Sequence, residues 1–164
     1  MIRLLVADDH PVVREMIGYV LALAPDVEMV AEATNGEEVM HSVRDGQFDL
    51  LLLDMNMPGI SGVALIESIK LCRATLPILV YTMHNDVQLA MRAIIAGASG
   101  LLTKDSEPEL LLAAIRKVSA GEKYLDPAVV EQMARDFESS NLRLPHPLLS
   151  DREMEVFRLL VEGK

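Results

Sequence analysis

Five short and almost entirely apolar segments alternate along the chain with longer segments whose apolar residues recur at helical spacing. The predicted strands are Ile2–Ala7, Val27–Ala33, Leu50–Leu53, Ile78–Tyr81 and Gly100–Leu102. The predicted helices are Val12–Leu23, Glu37–Arg44, Val63–Arg73, Val87–Ile95 and Pro108–Ser119. Strands this apolar are buried on both faces, which is typical of a parallel sheet covered by helices. The pattern therefore predicts an α/β fold: a flavodoxin-like, doubly wound, five-stranded parallel sheet in the order 2-1-3-4-5.

The pattern changes after Gly121. Asp126 and Pro127 are expected to start a further helix that extends to about Phe137. Residues 138–147 are polar and contain two prolines, so they are expected to form a linker. Ser150, with a glutamate three residues later, has the pattern of a capping box and starts a last amphipathic helix. One such helix cannot bury its own apolar face, so we expect this segment to be the beginning of a further domain.

The composition excludes several classes of function. The net charge is −10 and the sequence pI is about 4.8, so the chain is not expected to neutralise nucleic-acid phosphates by itself. No apolar stretch approaches the length that crosses a bilayer, and no signal peptide is expected. The single cysteine, Cys72, excludes an internal disulfide and favours the reducing cytoplasm.

Carboxylates follow two of the predicted strands. Asp8 and Asp9 come directly after the first strand, and Asp54 comes directly after the third. The carboxyl ends of parallel strands converge on one crevice, where three carboxylates need a cation to offset their repulsion. Oxygen ligands of this kind suit Mg²⁺. Thr82 ends the fourth strand and Lys104 follows the fifth, and a hydroxyl and an ammonium group suit the oxygens of a phosphoryl group.

These residues, with the segment LLLDMNMPGISG around Asp54, resemble the receiver domain of bacterial two-component response regulators. The resemblance covers residues 1–121 and implies a CheY-like fold. It also implies that a sensor histidine kinase transfers a phosphoryl group to Asp54. Asp9 and Asp54 would bind Mg²⁺ directly, Asp8 mainly through water and Asn56 through its backbone carbonyl. Mn²⁺ can substitute for Mg²⁺ in such a site.

The same resemblance assigns the switch residues. Lys104 would pair with the acyl phosphate, and Thr82 would move to hydrogen-bond the new phosphoryl oxygens. Leu101 occupies a position where the family usually has Tyr or Phe, so the usual coupling between threonine and aromatic ring is expected to be absent or replaced; Tyr81 is one candidate substitute. His84, two residues after Thr82, is a candidate modulator of hydrolysis, and an exposed loop residue is the alternative interpretation.

The C-terminal part narrows the resemblance to the NarL/FixJ family. GEKYLDPAVVEQM resembles the linker of these regulators, and LSDREMEVFRLLVEGK resembles the start of a LuxR-type helix-turn-helix domain. The implied organisation is a receiver domain at 1–121, a helical linker at 122–147 and an incomplete helix-turn-helix domain at 148–164. The implied partners are a histidine kinase, a second copy of the chain through its first, fourth or fifth helix, and promoter DNA. DNA would be bound by the full-length output domain and not by this fragment alone, and no membrane partner is expected.

Three other functions are conceivable for an aspartate-rich α/β chain. A phosphatase with an aspartate nucleophile, of the haloacid-dehalogenase-like kind, needs an acid two residues later to protonate the leaving group. Asn56 cannot supply a proton, so a turnover enzyme is rejected apart from self-catalysed phosphotransfer and dephosphorylation at Asp54. A dinucleotide-binding protein is rejected because the turn after the first strand, Asp-Asp-His-Pro, contains no glycine. A stand-alone receiver that signals through protein contacts stays open.

Overall fold

The structure is a computed structural model that describes the backbone of residues 1–83 and 87–139, and the side chains of all of these except 87, 133 and 136–139. The predicted modulator His84, the residues 140–147 of the predicted linker and the helix expected within 148–164 lie outside the described residues. The strands are β1 (Ile2–Ala7), β2 (Val27–Ala33), β3 (Leu50–Leu53), β4 (Ile78–Thr82), β5 (Gly100–Thr103) and β6 (Tyr124–Leu125). The helices are α1 (Pro11–Leu21), α2 (Gly36–Asp45), α3 (Gly62–Cys72), α4 (Val87–Ala96), α5 (Pro108–Ser119) and α6 (Pro127–Ser139).

All neighbouring strands of the sheet are parallel, in the order β2-β1-β3-β4-β5-β6. The predicted doubly wound α/β fold is therefore confirmed, and so is the order of its first five strands. β6 is an addition, because two residues expected in the linker pair with Gly100 and Leu101 at the edge of the sheet. A two-residue strand is too short for its side chains to show an alternating pattern. The helix expected after Asp126 is present as α6 and begins at Pro127.

The sheet separates two apolar clusters. On one face, residues of β1, β3 and β4 pack with α1 and α5, and this cluster includes Leu4, Ile17 and Ile115. On the other face, the sheet packs with α2, α3 and α4 in a cluster that includes Leu53 and Ile66. β3 is completely enclosed, since all four of its leucines are buried. The hydrophobic effect thus fixes β3 at the centre of the sheet and sets the position of the residue that follows it.

In the part of the chain that the structure describes, no helix is both long enough and apolar enough to cross a bilayer.

Candidate functional site

Strand register brings the three predicted aspartates to one edge of the sheet. Ala7 is paired with Leu53, so β1 and β3 end at the same level. The backbone N–H of Asp54 donates to the carbonyl of Ala7 over 2.9 Å, which holds the first residue after β3 against the end of β1. Each carboxylate is therefore positioned by the end of a buried strand.

The carboxylates form a compact and largely buried pocket. Asp8 and Asp54 are only 2 % and 4 % exposed, whereas the Asp9 side chain is 31 % exposed at the mouth. One ligand atom from each of Asp8, Asp9, His10 and Asp54 lies within 4.8 Å of the others. Three carboxylates at this separation repel one another strongly unless a cation is present.

Lys104 supplies one positive charge to the pocket. It follows β5, and its backbone N–H donates to the carbonyl of Thr82 over 2.7 Å. Its ammonium group lies 2.5 Å from Asp8 Oδ2 and 3.5 Å from Asp54 Oδ1, and the lysine side chain is buried. The lysine therefore forms its short ion pair with Asp8 and a longer contact with Asp54, and its predicted pairing with an acyl phosphate on Asp54 stays a prediction.

Burial raises the pKa of the Asp54 carboxyl above its ordinary value. The ammonium group of Lys104 opposes this change in pKa, and the neighbouring carboxylate of Asp8 reinforces it. Taking a carboxylate out of water penalises its charged form, so a second cation beside Asp54 would stabilise the ionised carboxylate.

Three polar atoms in and beside the pocket have no hydrogen-bond partner in the described part of the chain. They are Asp9 Oδ1, Asp54 Oδ2 and Thr82 Oγ1, all of them shielded from solvent. Buried polar atoms are normally paired, and leaving one unpaired costs about 1–3 kcal/mol. Two free carboxylate oxygens fit a hard divalent cation such as Mg²⁺. The free Asp54 oxygen could also accept a phosphoryl group. The Thr82 hydroxyl could then donate a hydrogen bond to the oxygens of that group.

The loop after Asp54 borders the pocket. Asn56 is exposed, and its backbone N–H donates to Asp54 Oδ1 over 3.3 Å. The loop lies against the start of α2. The contact at Gly36 is so close that a Cβ atom there would overlap the carbonyl oxygen of Ile60. Asn35 caps α2 by accepting from the Glu38 N–H, as expected for asparagine before a helix.

Leu101 and Tyr81 lie on opposite faces of the sheet. Leu101 is buried in the cluster on the α4 face, whereas Tyr81 is buried in the cluster with α1 and α5. Tyr81 therefore does not occupy the place of an aromatic residue at position 101. Burial raises the pKa of the Tyr81 hydroxyl, and the nearby carboxylates of Asp8 and Asp105 add to this effect.

Three residues near the pocket were not assigned to the site by the sequence. His10 Nδ1 lies 3.0 Å from Asp8 Oδ1 and 3.2 Å from Asp9 Oδ1, and the second contact lacks the geometry of a hydrogen bond. The guanidinium of Arg14 donates to the backbone carbonyl of Asp8 over 2.6 Å. Asp126, buried at the start of α6, accepts from Thr103 next to the lysine. Only His10 could have been found from the sequence, since it directly follows the aspartate pair.

Comparison with known proteins gives consistent matches. Residues 4–116 match the family described as response regulator receiver domain. The chain is 33 % identical to the response regulator UvrY of Escherichia coli K12, over all of this chain and 76 % of that protein. A LuxR-family two-component response regulator from Aurantimonas sp. SI85-9A1 has a similar structure, with a TM-score of 0.78, 33 % identity and coverage of 82 % of this chain and 96 % of that one. A structure of RcsB dimers bound to DNA is similar with a TM-score of 0.75, 28 % identity and coverage of 99 % of this chain and 78 % of that one.

Proposed function

The chain belongs to the response regulators of two-component systems, which regulate transcription, and it carries their receiver domain; from this premise we propose that Asp54 is its phosphoacceptor. A free Asp54 oxygen would attack the phosphorus atom of a phosphohistidine on a sensor kinase. An O–P bond forms while the N–P bond breaks, and the histidine leaves with the electron pair. The observation that carries the proposal is the buried, unpartnered Asp54 Oδ2 in a pocket that also contains Lys104.

The residues present fit the divalent cation that receiver domains bind at an acidic pocket. Asp9 and Asp54 would each supply a carboxylate oxygen, Asp8, which is in contact with Lys104, would act mainly through water, and the backbone carbonyl of Asn56 is the proposed further ligand. A bound Mg²⁺ would supply positive charge to neutralise the phosphoryl oxygens. The chain's own part is to hold these oxygens on rigid strand ends and to exclude water from Asp54. We propose no turnover chemistry beyond self-catalysed phosphotransfer and dephosphorylation at Asp54.

Phosphorylation would switch the protein by changing the partners of two residues. The new group adds roughly −1.5 to −2 charges to the pocket. Lys104 would then be drawn from Asp8 toward Asp54, and the unpartnered Thr82 hydroxyl would find an acceptor among the phosphoryl oxygens. Leu101 has no ring to rotate into the space that Thr82 leaves. We propose that the response passes through the backbone next to Lys104 instead.

The proposed partners are a sensor histidine kinase, a second copy of the chain and promoter DNA. The surface of α1 supports the second of these. Val12, Met16 and Tyr19 on α1, followed by Leu23, are spaced by three or four residues and are exposed. Such a stripe is suited to a helical interface. The similar RcsB protein is bound to DNA as dimers in its structure, and we propose the same arrangement for the full-length regulator, acting in the cytoplasm.

Intact-mass spectrometry after incubation with acetyl phosphate tests the proposal. With Mg²⁺, the chain should gain the mass of one phosphoryl group, and the gain should disappear when the metal is chelated. Asp54→Ala should abolish the gain, whereas Asp49→Ala, a matched change just before β3, should keep it. A gain that survives in Asp54→Ala would contradict the assignment. No gain with either acetyl phosphate or a kinase would favour a receiver that signals only through protein contacts.

A further inference from the structure

Asp126 is a buried carboxylate outside the aspartate pocket. It lies between β6 and α6 and is 4 % exposed. Its Oδ2 atom accepts from the Thr103 N–H over 3.1 Å and from the Ser106 hydroxyl over 3.0 Å. It also lies 2.9 Å from the Thr103 hydroxyl, whose one proton it shares with Asp105 Oδ1 at 2.5 Å. Its Oδ1 atom accepts from the Ala128 N–H over 2.9 Å. No ion pair to Asp126 occurs in the described part of the chain, so these hydrogen bonds alone compensate its burial.

The bonds from Oδ2 hold the chain on both sides of Lys104. Thr103 directly precedes the lysine and Ser106 follows two residues later. One more bond fixes the same strand, because the backbone N–H of Asp126 donates to the carbonyl of Leu101 over 2.9 Å. The backbone that carries the pocket lysine is therefore attached to the residue before α6 at three positions, 101, 103 and 106.

The Oδ1 atom and the backbone carbonyl of Asp126 hold the first turn of α6. Oδ1 caps the helix at Ala128, and the Asp126 carbonyl accepts from the Val130 N–H over 3.0 Å. Val129 is fully buried in the apolar cluster that also contains Ala93 of α4. A shift of Asp126 would therefore displace the first turn of α6 and change the packing of this helix on α4.

We propose that Asp126 is a positioning residue that couples Lys104 to α6, so that phosphorylation of Asp54 loosens the first turn of this helix. This inference rests on the proposed function. When Lys104 is drawn from Asp8 toward a phosphoryl group, residues 103 and 106 move with it. A buried carboxylate that loses hydrogen bonds is strongly destabilised, so Asp126 follows the loop. This movement displaces the cap of α6, which makes α6 the segment that transmits the signal to the residues after it.

Asp126→Asn separates the two halves of this connection. Asparagine caps helices as well as aspartate does, so the bond to Ala128 is retained. Its second polar atom is an NH₂ group, which cannot accept from Thr103 or Ser106. Ser106→Ala removes only one of the three bonds to Oδ2 and leaves the carboxylate, so it serves as a milder second variant if Asp126→Asn folds poorly. Glu131→Gln is the matched control, because it removes one negative charge from an exposed position of α6.

Hydrogen exchange of the whole chain, with and without beryllofluoride and Mg²⁺, tests the coupling. In the wild type, these additions should slow exchange in the loop after Asp54 and speed exchange in the first turn of α6 by about tenfold, a factor usual for coupled sites. Asp126→Asn should keep the first effect and reduce the second to less than about twofold. Ser106→Ala should give an intermediate response, and Glu131→Gln should behave as the wild type.

Two results would overturn the coupling alone. One is an α6 in Asp126→Asn that responds as in the wild type, and the other is a wild-type α6 that does not respond although the Asp54 loop does. A wild type in which neither segment responds would instead remove the proposed function, and the coupling with it. Thermal unfolding of each variant without additions establishes that the comparison is made between folded proteins.

Discussion

Replacing Asp54 with asparagine should stabilise the protein at neutral pH in the absence of divalent cations. The attraction of Asp54 to Lys104 at 3.5 Å is opposed by its repulsion from Asp8, so the cost of burial decides the balance. One oxygen of Asp54 is buried without a partner, which costs about 1–3 kcal/mol. We expect Asp54→Asn to gain about 1–2 kcal/mol, or roughly 2–8 °C in Tm for a chain of this size.

The pH dependence of this gain has a defined sign. Folding raises the pKa of Asp54, so the folded state binds more protons than the unfolded state between the ordinary and the raised pKa. The stability of the wild type therefore falls as the pH rises through this interval, and the variant lacks that loss. The advantage of Asp54→Asn should be small below the ordinary pKa of aspartate, grow through the interval and stay constant above the raised pKa.

Asp49→Asn is the matched control for this titration. Hydrogen bonds from Arg3 lower the pKa of the Asp49 carboxyl, so its contribution to stability is present above the ordinary aspartate pKa and is lost as the pH falls. This control should therefore be slightly less stable than the wild type at neutral pH and equal to it in acid.

Thermal and urea unfolding across a pH series measure both variants. Adding Mg²⁺ should reverse the order for Asp54→Asn, because ligand at 100 times its Kd stabilises the wild type by about 2.7 kcal/mol and the variant has lost one ligand oxygen. The reasoning is refuted if Asp54→Asn is less stable than the wild type at neutral pH without metal, or if its advantage does not change with pH.

Three further changes probe the pocket, its supporting loop and the α1 surface. Lys104→Met leaves Asp8 buried without its cation and should cost about 3–5 kcal/mol in urea unfolding, part of it restored by Mg²⁺; a loss below about 1 kcal/mol would contradict the burial of the pair. Gly36→Ala forces the loop after Asp54 to shift and should lower the free energy of unfolding by about 1–3 kcal/mol. Gly18→Ala is the control: no atom lies closer than 4.0 Å to the added Cβ, so this variant should be stabilised by about 0.5–1 kcal/mol. A Gly36→Ala variant that melts as high as Gly18→Ala would contradict the close approach of the loop to α2. Tyr19→Glu should abolish any dimer that beryllofluoride induces in sedimentation, and an unchanged dimer would move the interface away from α1.

The sequence predicted the fold well because four of its five main strands are strongly apolar, whereas β2 at the edge of the sheet contains Glu28 and Glu32. The four leucines of β3 are all fully or almost fully buried, and burial on both faces leaves a parallel sheet as the simplest arrangement. β6 was not predicted, because a strand of two residues is too short to show an alternating pattern and its pairing depends on the position of β5. The domain boundaries at 121 and 147 stay predictions.

The candidate site was predictable to the level of the strand ends and no further. The order of the strands predicts that the polar residues at their carboxyl ends lie together, and the structure brings together Asp8, Asp9, Asp54, Thr82 and Lys104. The sequence could not show that the lysine lies closer to Asp8 than to Asp54, because that choice depends on ångström-scale distances between two carboxylates.

The sequence also could not show the direction of Tyr81 or the contacts of Asp126 with Thr103 and Ser106, although it predicted that Asp126 starts a helix. The face on which Tyr81 lies follows from the register of β4, which the apolar run of that strand does not reveal. Asp126 contacts Thr103 across 23 positions of the chain, a separation at which local patterns carry no information. The roles of the individual site residues stay predictions until they are tested chemically.

The most direct test of the central claim is to locate the phosphoryl group on the chain. After incubation with acetyl phosphate and Mg²⁺, borohydride reduces an aspartyl phosphate to homoserine, and peptide mass spectrometry identifies the modified position. Phosphorylation of Asp54 predicts homoserine at position 54 alone, and none in a sample treated with chelator. Homoserine at position 8 or 9 with an intact Asp54 would contradict the account.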